Sequence, residues 1–184
     1  MMTQPSKPRV LIVDDNPANR LAFQTLLEPS YSVVSAEGGV EGLRLTLKDD
    51  YAVILLDVRM PGMDGFEVAE ALRKRDRTRY TPVVFMSAYE KTDLQARKGY
   101  IAGATDYLFS PVDEELLKLK VATYAQMYLR NEALWRQVNE LQQTVQAMQE
   151  ELRRCNPSAA VQMQVRNLRI QLEELKSRLN PVPA

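Results

Sequence analysis

The chain contains no histidine. That absence removes His–metal sites, Ser/His and Cys/His catalysis, and any phosphohistidine formed on the chain itself. Phosphate, if it matters, has to arrive from elsewhere. A single cysteine, Cys155, excludes an internal disulfide framework and fits a reducing cytoplasm. Long apolar runs are missing too: the longest are strand-sized, such as Tyr51 to Leu56, far from the roughly 20 residues that cross a bilayer. The N-terminus lacks the apolar region of a signal peptide, so a cytoplasmic protein without a membrane partner is expected. Net charge is absent as well, with Lys+Arg 24 against Asp+Glu 24, which gives no ground for a nucleic-acid partner. With 184 residues there is room for one ordinary domain and an appendage, not for two full cores.

What is present begins with alternation. Residues 1–8 are polar and Pro-rich and read as a flexible lead-in. Val10 to Val13 is a continuous apolar run ending in Asp14-Asp15, the pattern of a strand buried on both faces. Asn16-Pro17 supplies a helix cap with Pro at the first helical position, and Leu21, Phe23, Leu26 and Leu27 carry the helix to Pro29. A second strand is expected over Tyr31 to Ala36 and a helix around Val40 to Leu47. Tyr51 to Leu56 is a third strand that delivers Asp57, and Pro61-Gly62 then turns the chain. Asp64 can cap a helix through Phe66, Val68, Ala69 and Leu72. Pro82 to Met86 is a fourth strand ending at Ser87, and Leu94 to Ile101 a fourth helical pattern. Thr105 to Phe109 is a fifth strand, and a long helix starts near Asp113 after Ser110-Pro111.

Strict strand–helix alternation implies an α/β, doubly wound parallel sheet with helices on both faces. Ligands of such sheets bind beyond the carboxyl ends of the strands. Asp14, Asp15, Asp57, Ser87 and Ser110 all fall there. Taken singly, an Asp-Asp pair is most often a helix cap or a solvated turn, and a Ser after a strand is a turn residue. Gathered on one sheet edge, three carboxylates repel one another, and a hard divalent cation such as Mg²⁺ relieves that cost. Asp57, alone at its strand end, can also act as a nucleophile that takes a phosphoryl group, with Ser87 placed to bond a phosphoryl oxygen.

From Ala122 onward the composition shifts to Gln, Leu, Glu and Arg, and glycine disappears. Seam positions recur at alternating spacings of three and four as Tyr124, Met127, Asn131, Leu134, Val138, Leu141, Val145, Met148, Leu152 and Cys155. Val138 and Val145 take a positions and Leu134 and Leu141 take d, a combination that favours a parallel two-stranded coiled coil, with Asn131 at a fixing register. Asn156-Pro157 breaks the pattern, and a second set runs Val161, Val165, Leu168, Leu172, Leu175, Leu179. That second helix either restarts at a kink or folds back as a hairpin. The expected divisions are a lead-in (1–8), the α/β domain (9–123), a coiled-coil helix (124–155) and a second helical segment with a Pro-containing tail (156–184).

The runs VLIVDDNPANR, VILLDVRMPGMDGFEVAEALR, PVVFMSA and GATDYLFSP, in this order and spacing, resemble the response-regulator receiver domain of two-component signalling over roughly residues 8–128. The resemblance implies a flavodoxin-like five-stranded sheet of order 2-1-3-4-5. It implies Mg²⁺ at Asp14, Asp15, Asp57 and the backbone carbonyl of Arg59, with Asp57 as phosphoacceptor. Ser87 becomes the hydroxyl switch and Tyr107 the aromatic that turns inward with it, remodelling the face of the fourth helix, fifth strand and fifth helix. A cis peptide at Ser110-Pro111 is also common in such proteins.

One position departs from the family. Its lysine before the proline is Ser110 here, so the ammonium that pairs with acceptor and phosphate is missing. Arg59 is a possible substitute cation, although arginines in such loops are usually solvated.

The expectation is a phosphoacceptor, not a turnover enzyme, that receives its phosphoryl group from a cognate histidine kinase or phosphotransfer protein. It would signal through a homodimeric coiled coil to a downstream protein partner or effector domain. The alternatives are a phosphate-independent scaffold and a receiver-plus-linker fragment of a larger regulator or hybrid kinase. A phosphatase-like enzyme is the weakest: it needs a second acid/base carboxylate near the nucleophile, and the alternating strand pattern offers no extra cap domain.

Overall fold

In the computed structural model, residues 7–87, 101–154 and 158–179 are described. The fourth helical pattern lies outside them except for its last residue, Ile101, as do Cys155 and Asn156-Pro157. The chain divides into two units, residues 1–128 and 129–184.

In the first unit, β1 (Arg9–Val13), α1 (Pro17–Leu27), β2 (Ser32–Ala36), α2 (Gly39–Leu45), β3 (Val53–Asp57), α3 (Gly65–Arg73) and β4 (Val83–Ser87) alternate as expected, and β5 (Asp106–Phe109) follows; α4 (Glu114–Arg154) starts here and continues into the second unit. The five strands form one sheet in the order β2-β1-β3-β4-β5. All neighbours are parallel, with Val10 opposite both Val33 and Val53, Ile54 opposite Val83, and Val84 opposite Asp106.

The apolar runs alternate between two cores. Leu11, Val13, Ile54, Leu56, Val83 and Phe85 face Leu43 of α2 and Val68, Ala69 and Leu72 of α3. Val10, Ile12, Val53, Leu55, Val84 and Met86 face Leu27 of α1 and Leu117 and Val121 of α4. This is why the central strands read as continuous hydrophobic runs instead of alternating ones.

Helix starts follow their capping residues. The Asn16 side chain accepts from the Ala18 N–H at 2.9 Å ahead of Pro17, and Asp64 and Glu67 form a reciprocal capping box. Leu21 departs from the expected apolar face of α1 and is 67% exposed. It lies six residues before buried Leu27, which turns it about 120° away from that line. At β5, Asp106 binds the Lys120 ammonium and accepts from the Tyr124 hydroxyl at 3.3 Å, tying α4 to the last strand.

In the second unit, α4 from Leu129 onward and α5 (Ala159–Arg178) form a hairpin. Lys176, near the end of α5, donates to the Gln142 side chain at 3.1 Å and sits 4.8 Å from the Trp135 ring centroid. Those partners lie well back along α4 from its end, so α5 folds back antiparallel. The heptad a residues Val138 and Val145 are buried together with Leu172. The a line of α4 is therefore covered within the chain and does not form the seam of a parallel two-stranded coil.

Arg73 locks the core of the first unit. Its guanidinium, whose pKa burial lowers, donates to the Gly103 carbonyl (2.9 and 2.5 Å), to Thr81 O (2.8 Å) and to Thr78 O (3.3 Å). Gly103 adopts φ 101°, where glycine is favoured, and a Cβ there would meet the Arg73 side chain at 2.6 Å. Arg73→Ala strands these carbonyls and is expected to cost about 2–3 kcal/mol in urea unfolding. Arg73→Lys should recover less than half of that, since one ammonium does not span the three sites.

Candidate functional site

The carboxyl ends of β1 and β3 bring Asp14, Asp15 and Asp57 together, with one oxygen from each within 4.8 Å of the others. Asp14 is buried and Asp15 exposed, while Asp57 sits at the rim of the sheet. Asp14 is held from several sides. Its Oδ1 accepts from the Asn16 N–H at 2.8 Å, its Oδ2 from the Asn19 amide at 3.1 Å, and its own N–H donates to Ala36 O at 3.2 Å. Arg20 donates to the carbonyl oxygens of Asp14 (2.8 Å) and Asp15 (3.0 Å) and pairs with Glu37 at 3.3 Å. The acidic turn is thus clamped from behind by the first turns of α1, which leaves its carboxylates to point at Asp57.

Asn19, Arg20 and Glu37 were not legible as site residues. Asn19 and Arg20 follow Asp14 by five and six positions, one helical turn past the cap. That spacing was the available signal, because it returns side chains to the strand end.

Gly65 is the other concealed constraint. Its N–H donates to Val58 O at 3.0 Å, and a Cβ on it would lie 2.3 Å from the Asp57 carbonyl oxygen. Only glycine lets the start of α3 approach the loop after Asp57 this closely.

Burial, and then the Asp14 charge, push the Asp57 carboxyl up to about 6, against the pull of backbone N–H bonds from Arg59 and Val58, with Asp15 adding to the rise. The pocket is thus short of positive charge, and a divalent cation fits its donor set of hard carboxylate oxygens.

Ser87 is buried at the end of β4, and its carbonyl accepts from the Ser110 N–H at 2.8 Å, so the ends of β4 and β5 are joined through backbone. Ser110 is exposed, and its bond to Pro111 is cis. Tyr107 is half-buried, with its ring 5.4 Å from Phe85 and 6.1 Å from Phe109, and Phe85 continues the contact to Phe66 of α3 at 5.2 Å. Arg59 is exposed. Two other cations are committed elsewhere: Arg20 to the carbonyls of the acidic turn, and Lys120 to Asp106 at the far end of β5.

A parallel sheet of this order with an acidic cluster at its carboxyl edge defines a receiver-type fold. The family model described as "Response regulator receiver domain" matches residues 10–122, and the chain belongs to that family. It is 39% identical over 139 residues to the sensor protein GacS of Pseudomonas syringae pv. syringae, covering 73% of this chain and 15% of that protein. It is 37% identical over 128 residues to the transcriptional regulatory protein HprR of Escherichia coli, covering 68% of this chain and 56% of that one. Among solved structures, the chemotaxis protein CheY4 of Vibrio cholerae superposes with a TM-score of 0.61 at 31% identity, covering 65% of this chain and 99% of that one. The chain thus spans a small part of GacS and about half of HprR. Among the described residues, no helix is long and apolar enough to cross a membrane.

The raised Asp57 value has a definite sign in stability. Between pH 3.8 and about 6 the folded chain holds a proton that the unfolded chain has lost. The contribution of Asp57 is therefore fully present below the lower value and is lost as pH rises through the upper one. Asp57→Asn should stabilise the metal-free chain by about 2 kcal/mol at pH 8, allowing for solvent screening. The gain should vanish near pH 4. Urea unfolding of both proteins in EDTA across this range reads the difference.

Proposed function

We propose that the chain is a phosphoacceptor of two-component signalling, with Asp57 as acceptor and Mg²⁺ held by Asp14, Asp15, Asp57 and the backbone carbonyl of Arg59. The observation that carries this reading is the convergence of three carboxylates within 4.8 Å, one of them with its pKa raised to about 6 by burial and by its neighbour. When bound, Mg²⁺ supplies charge neutralisation at the phosphoryl oxygens.

The chain's own residues do the rest. An ionised Asp57 oxygen attacks phosphorus in line and forms the O–P bond of an acyl phosphate. The P–N bond of a donor phosphohistidine breaks, and its electron pair stays on the imidazole, which then takes a proton from solvent. The N–H groups of Val58 and Arg59 already lie against the Asp57 carboxylate, and the Ser87 hydroxyl is the donor for a phosphoryl oxygen. Ser87 moving toward phosphate would draw on the Ser110 backbone, and Tyr107 would follow along the aromatic contact with Phe85.

In this reading the protein is not a turnover enzyme and works in the cytoplasm. It takes phosphate from a histidine kinase or phosphotransfer protein, and passes its state on through its C-terminal helices as a homodimer to a downstream protein or effector domain. A second reading rests on Ser110. Without an ammonium there, electrostatic stabilisation of the phosphoryl group is weakened, and the chain would act as a phosphate-independent scaffold.

Incubation with Mg²⁺ and acetyl phosphate should add the mass of one phosphoryl group to the intact chain. Asp57→Asn and EDTA should each abolish the increment. Ser110→Lys should raise the rate by about 10- to 100-fold. An increment in Ser110→Lys but none in the wild type would sink the phosphoacceptor reading and support the scaffold.

A further inference from the structure

The α4–α5 hairpin has two unlike sides. Its inner line, Val138 and Val145 of α4 with Leu172 of α5, is buried. Beside that line, Leu134, Leu141 and Met148 of α4 and Leu168 and Leu175 of α5 remain between 40% and 54% exposed. On α4, Leu141 precedes Val145 by four residues and Met148 follows it by three, which sets the exposed line about 50° behind the buried one. On α5, Leu168 and Leu175 stand in the same relation to Leu172. Because the helices are antiparallel, equal offsets in the sequence sense emerge on the same side of the hairpin.

The opposite offset gives the other side. Gln142 and Gln149 of α4 and Arg169 and Lys176 of α5 line a shared groove there. The groove side is thus polar and the opposite side carries the Leu and Met lines, while Met163 and Ile170 of α5 face away from both. Next to the apolar lines stand exposed Gln137, Thr144, Gln164 and Gln171, and the charged residues of that α4 line, Arg130 and Glu151, stand only at its two ends.

We propose that a second copy of this chain covers the apolar side, so that two hairpins meet through Leu134, Leu141, Met148, Leu168 and Leu175 in a four-helix bundle. This deepens the homodimer reading above and rests on it. A two-fold axis sets a patch against itself, so a charged patch would face its own sign; this one meets itself without that penalty. Five side chains about half exposed offer on the order of 400 Å² of apolar surface per chain. Doubled and joined by its mostly uncharged rim, that approaches the roughly 1,200 Å² of a specific interface. A lone helix pair leaves this line bare, whereas a four-helix bundle closes it into a core.

The test is the mass of the full chain by light scattering and sedimentation. The wild type should be a dimer. Leu141→Glu on α4, and separately Leu168→Glu and Leu175→Glu on α5, should each weaken it by about 100-fold or more with helical ellipticity retained. Gln146→Glu, on the polar side, should leave the dimer intact. Where a glutamate lowers ellipticity, glutamine at the same position replaces it. A monomeric wild type overturns this proposal and the homodimer reading together. A dimer weakened by Leu141→Glu but indifferent to both α5 variants overturns the bundle alone, since α4 would then pair without α5. A dimer indifferent to all three also overturns the bundle and places the interface elsewhere. The phosphoryl increment at Asp57, read on the same samples, reports separately on the receiver pocket.

Discussion

Mutual repulsion among Asp14, Asp15 and Asp57 is the constraint around which the receiver unit is organised. Burial, and then the charges of Asp14 and Asp15, raise the Asp57 carboxyl to about 6 and lower the stability of the metal-free fold at neutral pH. They stay in place because each strand that carries them is buried on both faces: Val10–Val13 and Val53–Leu56 have no water-facing side. Net stability of a domain is only about 5–15 kcal/mol, so a repulsive cluster persists only where the surrounding core over-determines it. The clamp of Asn16, Asn19 and Arg20 on the acidic turn does the local part of that work. The close approach of Gly65 to the Asp57 carbonyl fixes the other wall.

Much of this was legible in the sequence because strand ends are punctuated. Apolar runs stop at Asp14, Asp57, Ser87 and Phe109, and parallel topology forces those stops onto one edge. Arg20 and Gly65 were harder to see, since they act on backbone atoms whose positions exist only once the turn is built, and Asn19 reaches the Asp14 carboxylate only from one turn into α1. Leu21 shows a related limit: it is apolar and helical, yet its rotation about α1 places it in solvent.

The C-terminal helices show a different one. A heptad pattern states that a helix has an apolar stripe, not which chain covers it. Val138 and Val145 at a with Leu134 and Leu141 at d read as a dimer seam, yet Leu172 of the same chain shares the burial of the a line and the d line stays open. Intramolecular and intermolecular partners satisfy the same periodicity, and only the length and placement of α5 separate them.

Ser110 alters the charge balance of the pocket. Three carboxylates against a bound divalent cation would leave one net negative charge, which a lysine would cancel and a serine would not. In the proposed reading a phosphoryl group would then arrive at a site that is already anionic, with the Ser87 hydroxyl and backbone N–H groups as its remaining donors. The mechanical link survives this loss. The Ser110 N–H holds the Ser87 carbonyl at 2.8 Å, and the register pairs Ser87 with Phe109, so the ends of β4 and β5 stay coupled through main chain without any side-chain charge. In the proposed reading, electrostatic stabilisation of phosphate and mechanical coupling of β4 to β5 would therefore be separable: serine at position 110 would weaken the first, while the backbone link that carries the second is in place.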